Sequence, residues 1–164
     1  MNTFAESVGQ KYRLLASWLN HLQSPFLLLL RVYFFWQLFQ NGQGKLTNLG
    51  KVTEYFASLN IPFPALNAAV VGCFETFGGL LLIVGLASRV TAIPIIVFLS
   101  VAYITADFEA VSKFFSDPDK FVKADPFPFL LTALIILIFG PGKFSLDALI
   151  ARLTGQRPTS IPPQ

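Results

Sequence analysis

Four apolar stretches separated by polar ones organise this chain. The first runs from Pro25 to Gln40, the second from Ala65 to Ala87, the third from Val90 to Ala106 and the fourth from Phe127 to Phe139. None shows the period-two alternation of a barrel strand, so helices are expected. A helix that crosses the hydrocarbon core of a bilayer needs about 20 residues, within a range of about 17–25. The second stretch meets that length alone, and the others need flanking polar residues to complete a helix. Pro94 is expected in the first turn or so of span three, and Pro126 and Pro128 at the opening of span four, where proline is tolerated. The expected fold class is all-α: an integral membrane four-helix transmembrane bundle.

The connections refine this plan. Only Ser88 and Arg89 separate spans two and three, which predicts a helical hairpin. Between spans one and two, Val52, Tyr55, Phe56 and Leu59 recur at helical spacing while Lys51, Glu54 and Asn60 fall elsewhere. That pattern predicts a short interfacial helix lying on the bilayer surface, or an ordinary loop helix packed on the bundle. Ile61-Pro62-Phe63-Pro64 ends it and turns the chain into span two. The aromatic side chains of the polar stretch Asp107–Asp125 are expected to anchor it at the interface. After Gly140-Pro141-Gly142, the residues Leu146, Leu149, Ile150 and Leu153 share one face of a second short amphipathic helix. The resulting division is 1–24, a cytoplasmic N-terminal segment; 25–153, the membrane domain; and 154–164, a flexible proline-rich C-terminal tail.

Composition supports the bilayer over a soluble core. Of 164 residues, 54% are hydrophobic and 13% charged, with a mean hydropathy of +0.60. Soluble domains sit near 45–50% and about 25% respectively. The net charge of +3 carries no dense basic run, which argues against nucleic acid as a partner. Basic residues differ little between the two sides, and their weak excess beside the termini places both termini in the cytoplasm. The expected location is the plasma (bacterial inner) membrane. The first 24 residues lack the apolar region of a cleaved signal. Cys73 is the single cysteine and His21 the single histidine, so no disulfide within the chain, CxxC pair or metal site is expected. Redox chemistry would then need an organic carrier or a partner protein.

Two ionisable residues fall inside the spans, Arg31 and Glu75. A charge at the bilayer centre costs at least about 2.5–3.5 kcal/mol and normally faces a partner within the bundle. At about 1.5 Å per residue, Arg31 lies about 9 Å in from Pro25 on the terminal side and Glu75 about 15 Å in from Ala65 on the other. That leaves an offset of roughly 6 Å in a core of about 30 Å. An Arg31–Glu75 pair between spans one and two is the expectation. It would be a clasp that fixes helix register, or a polar site for an anionic or proton-coupled ligand. If span one continues as helix past Gly42 and Gly44, then Arg31, Leu38 and Lys45 form one seam. Gly78 and Gly79 are expected to serve helix packing. The crowded rings of Tyr33, Phe34, Phe35 and Trp36 serve packing, or line a pocket for a quinone or lipid.

These residues, in this order, resemble the DoxX family of small membrane proteins from about Leu27 to Leu149. Leu30-Arg31 and Gly44-Lys45-Leu46 match span one of that family. Leu59 to Ala65 matches its proline turn, and Phe74-Glu75-Thr76-Phe77-Gly78-Gly79 its glutamate-then-glycines pattern. Gly85-Leu86-Ala87-Ser88-Arg89 closes span two. Phe139-Gly140-Pro141-Gly142-Lys143-Phe144-Ser145-Leu146-Asp147 is the most specific part. Asn41 and Gln43 make the end of span one more polar than is usual, and the family's histidines near spans three and four are missing. The resemblance implies a four-helix membrane bundle tied to redox systems. Its relatives include subunits linked to quinone reduction, while related eukaryotic proteins act in assembly. The expected ligand site is Arg31, Lys45 and Glu75, with a quinone as the non-covalent ligand and a partner oxidoreductase or a homo-oligomer as company. The competing expectation is a non-catalytic assembly or interaction factor, in which the polar residues are closed to ligands. A small-solute transporter finds less support, since no internal repeat is visible.

Overall fold

The structure is a computed structural model and describes residues 2–155, with side chains from Val8 onward. Among the described residues every regular element is a helix. Helix α1 runs Asn2–Thr47, and the short α2, Leu49–Ser58, follows. Span two is composite. It consists of α3 (Pro64–Cys73), one turn of π-helix (Phe74–Gly78) and α4 (Gly79–Val84). Helix α5 covers Ser88–Thr105, and the short α6 (Phe108–Ser112) and α7 (Pro118–Lys123) connect it to α8 (Phe127–Phe139). Helix α9, Leu146–Leu153, comes last. Residues 156–164, most of the expected flexible tail, lie outside the described residues.

Three helical segments are long and apolar enough to cross a membrane: Val8–Thr47, Pro64–Val84 and Ser88–Thr105. The fourth, Phe127–Phe139, has 13 residues. All four share one core. Leu27, Phe35 and Leu38 of α1 meet Leu82 of α4, Ile95 and Leu99 of α5, and Phe129 and Ile136 of α8. Outside this core the surface remains apolar. Leu29, Tyr33 and Trp36 on α1, and Ile93, Val97, Val101 and Ile104 on α5, are all exposed. Their spacing of three or four residues makes outward-facing stripes. A helix apolar on both its inner and outer faces belongs in lipid, where no hydrophobic penalty attaches to the outer face.

Several expectations shift in detail. Pro94 stands seven residues into α5, in its second turn rather than its first, because the helix already begins at Ser88. Helix α2 exists and buries none of its side chains fully; it packs along α3. Gly79 lies against the α1 backbone at Phe35 and Phe39, and Gly78 against Ile95, so both serve packing as expected. Helix α9 forms where its periodicity placed it, with Leu149, Ile150 and Leu153 exposed. Residues 2–24 continue into span one as part of α1 without a break.

The connection α6–α7 is tied by aromatics and charge. Phe121 stacks on Tyr103 at 4.6 Å between ring centroids and meets Phe114 and Phe127 edge-on. These rings therefore close the end of the bundle, while Phe108 and Phe115 stay exposed. The Glu109 carboxylate lies 2.7 Å from both the Lys113 and Lys120 ammonium groups. Hydrogen bonds from Lys113 and Lys120, with their positive charge, hold its carboxyl down from the ordinary 4.5 to about 2 and push the Lys113 ammonium up. A depressed carboxyl contributes stability that is present above its ordinary range and is lost as pH falls through the folded value. In a carboxyl-detected NMR titration Glu109 should titrate near 2, and Lys120→Gln should raise that midpoint. High salt should shrink the difference, because the pair is exposed.

Candidate functional site

Arg31 is fully buried, and the structure corrects its expected partner. It does not meet Glu75. Its Nε donates to the Leu82 carbonyl at 2.9 Å and its Nη2 to Ile83 at 2.7 Å. Its Nη1 donates to the carbonyls of Pro141 at 2.6 Å and Phe144 at 3.1 Å. The physical reason lies at the end of span two. Leu82 and Ile83 stand in the last turn of α4, where carbonyls have no partner within the helix and the helix dipole is negative. The planar five-donor fork of an arginine can satisfy several such groups at once.

The register explains the rest of the correction. Glu75 lies seven to eight residues deeper than the Arg31 guanidinium, roughly 11 Å along the helix. The expected offset of roughly 6 Å placed Pro25 and Ala65 at opposite edges of a core of about 30 Å. Helix α1 instead continues to Thr47, and this carries Lys45 to the level of Glu75. Both oxygens of Glu75 accept from Lys45 Nζ. The carboxylate side chain is 9% exposed and the lysine side chain 30%, so the lysine is the member with access to the surroundings. Arg31, Leu38 and Lys45 do form the expected seam, facing span two at separate heights.

Glu75 belongs to the π-helical turn, an element that is rare and common at functional sites. Next to it, α1 and span two approach unusually closely. A Cβ built on Gly42 would stand 2.5 Å from the Thr76 amide nitrogen and 2.6 Å from its hydroxyl oxygen. The Thr76 hydroxyl is buried without a hydrogen-bond partner. It faces helix backbone there, not an opening. Among the described residues no group of His, Cys, Asp and Glu could hold a metal ion.

A second set of contacts ties the ends of spans two and four together. Gly85 has φ of +73°, and a Cβ there would lie 2.5 Å from Arg31 Nη2. Only glycine combines that backbone with that neighbour. The Asp147 carboxylate accepts from the amides of Ala87 at 2.7 Å and Ser88 at 2.9 Å. It thereby holds Ala87 in its left-handed conformation and caps the start of α5. Ser145 caps α9 by accepting from Ala148 at 3.1 Å. Composition and periodicity do not reveal these roles; the Gly85–Arg89 and Gly140–Asp147 motifs were their sequence signals. A groove of about 340 Å³ does exist, but it opens between spans two and three beside Cys73, Phe74, Phe77 and Pro94. Arg31, Lys45 and Glu75 do not line it.

A family model described as DoxX matches residues 26–108, half of the chain. This chain belongs to the DoxX family. The matched stretch contains Arg31, Lys45, Glu75 and Gly85, so both polar centres of this DoxX protein fall inside it. The Pro141 and Phe144 carbonyls that complete the Arg31 cradle lie beyond it. An uncharacterized protein of Haemophilus influenzae is 29% identical over 131 residues, covering 77% of this chain and 84% of that protein. No solved structure matches the chain.

Proposed function

We propose that this protein is a redox-associated, quinone-linked membrane subunit that acts with partner proteins and offers its Lys45–Glu75 pair to a quinone-type headgroup. The carrying observation is that pair itself: an acid and a base in contact between spans one and two, with the lysine partly open. Two of the three Lys45 donors are used on Glu75. The third is available to a headgroup carbonyl, and Glu75 can exchange a proton through the lysine. Electrons would come from a partner oxidoreductase. Arg31 is withdrawn from this site, since its donors are committed to four carbonyls.

The proposal includes the arrangement in the membrane. Helix α8 crosses as a fourth span with the help of its flanks. Helix α2 lies at the interface, and both termini face the cytoplasm of a bacterial inner membrane. At 13 residues α8 is only about 20 Å long, so the residues before Phe127 must complete the crossing.

Binding of a short-chain quinone analogue to the purified protein tests the site. Saturable binding by the wild type, changed in Glu75→Gln with folding intact, is the expected result. No saturable binding by well-folded wild type, with or without its natural partners, favours the second reading, a non-catalytic assembly or interaction factor. One observation supports that reading: both oxygens of Glu75 are already satisfied within the bundle.

A further inference from the structure

The N-terminal half of α1 has no bundle to pack on. From Val8 to Ser24 the helix extends about 24 Å beyond its first buried contact. Ser24 marks the end of the bundle, because its hydroxyl oxygen accepts from the Lys143 amide at 3.3 Å. Yet Val8, Tyr12, Leu15, Trp18, Leu19 and Leu22 are all exposed, Trp18 at 75%. Val8, Tyr12, Leu15, Leu19 and Leu22 recur every three or four residues and Trp18 flanks them, so they form one stripe. Arg13, Ser17 and Asn20 lie on the opposite side of the helix.

The direction of that stripe identifies what covers it. It runs on into Phe26, Leu29, Tyr33 and Trp36, the outward face that α1 turns to lipid. The bundle-facing residues Ser24, Leu27 and Arg31 occupy the other side. Pro25 sits at the junction, within the helix, where it lacks the N–H that would bond to the His21 carbonyl. A bend there away from the bundle turns the apolar stripe down onto the bilayer and the polar side up into water. A bend over the bundle would press Arg13 and Asn20 onto it instead. The charge at this end of the molecule is also mostly positive: Lys11, Arg13, Arg89, Lys143 and Arg152 stand against Glu6 and Asp147, and Asp147 is occupied in capping α5. Helix α9, at the same end, exposes Leu149, Ile150 and Leu153.

We propose that residues 8–24 form an interfacial helix, hinged at Pro25, that docks on an anionic lipid surface at the terminal side of the bundle. Such helices sink their apolar face about 5–10 Å into the headgroup and acyl boundary. Lys11 and Arg13 add attraction to anionic headgroups. The proposal is independent of the quinone reading, since neither Lys45 nor Glu75 enters it.

The test uses the full chain carrying Trp36→Phe, which leaves Trp18 as the tryptophan reporter, reconstituted in vesicles of zwitterionic or mixed anionic phospholipid. Bromines on the upper acyl carbons should quench Trp18, its emission should shift to the blue, and acrylamide should reach it poorly. The effect should be larger in anionic vesicles, and Lys11→Gln with Arg13→Gln should remove that difference. Leu19→Glu should release Trp18 to acrylamide without unfolding the bundle, because Leu19 touches none of its core. Trp18 that is open to acrylamide and untouched by bromolipid would overturn the proposal, with the helix projecting into water. Trp18 shielded from both quenchers would also overturn it, in favour of a second copy of the chain on the stripe. Equal quenching in the two vesicle types would refute the preference for anionic lipid.

Discussion

Arg31→Leu should lower the unfolding free energy in mild detergent by about 3–5 kcal/mol, since hydrogen bonds to a charged group contribute about 1.5–3 kcal/mol each and several are lost together, less what relaxation recovers. Leucine leaves the Leu82, Ile83, Pro141 and Phe144 carbonyls without their donor. Each buried, unsatisfied carbonyl costs about 1–3 kcal/mol, reduced where water enters or neighbours relax. Arg31→Lys should recover only part, since one ammonium cannot reach two helix-end carbonyls and two turn carbonyls from a single point. The same cradle predicts how Arg31→Leu combines with Glu75→Leu. The two side chains do not touch, so the double change should cost about the sum of the singles. Thermal or denaturant midpoints of the four proteins decide it. Recovery in the double mutant would restore a direct Arg31–Glu75 pair, and a stable Arg31→Leu would show the cradle to be unimportant.

Gly42→Ala should destabilise the bundle by about 1–3 kcal/mol, the usual cost of overpacking. The added carbon would stand 2.5 Å from the Thr76 nitrogen and 2.9 Å from the Glu75 carbonyl carbon, both of them backbone. Backbone cannot rotate aside, so α1 and the π-turn must separate. The Lys45–Glu75 pair spans that same contact and should loosen with it. Gly44→Ala is the control, only two residues away on the same helix. Nothing lies within 4 Å of a Cβ at Gly44. Alanine in a helix interior is favoured over glycine by about 0.5–1 kcal/mol, so this variant should be neutral or slightly stabilised. Equal midpoints for the two variants would refute the close approach at Gly42.

The periodicity of apolar residues determined, without any tertiary information, that the chain is all-helical, where spans one to three lie and that α9 is amphipathic. Those features follow from local geometry and from the cost of exposing backbone in lipid, which act on each stretch separately. Motif order determined the family. It also marked the Gly140–Asp147 turn as special, without saying that its carbonyls would hold an arginine. Partner choice was decided only by the tertiary structure. Arg31 and Glu75 were both legible as buried charges needing company. Which group each met depended on how far α1 slides along span two, and the sliding depends on where Gly42 and Gly79 let the backbones touch. The extension of α1 back to Asn2 was likewise hidden, because its polar and apolar halves follow different patterns while the backbone continues through Pro25; its continuation to Thr47 was legible only as a condition on Gly42 and Gly44. A sequence carries the need of a buried charge for a partner. The register between helices, set by packing at a few small residues far apart in the chain, supplies the partner.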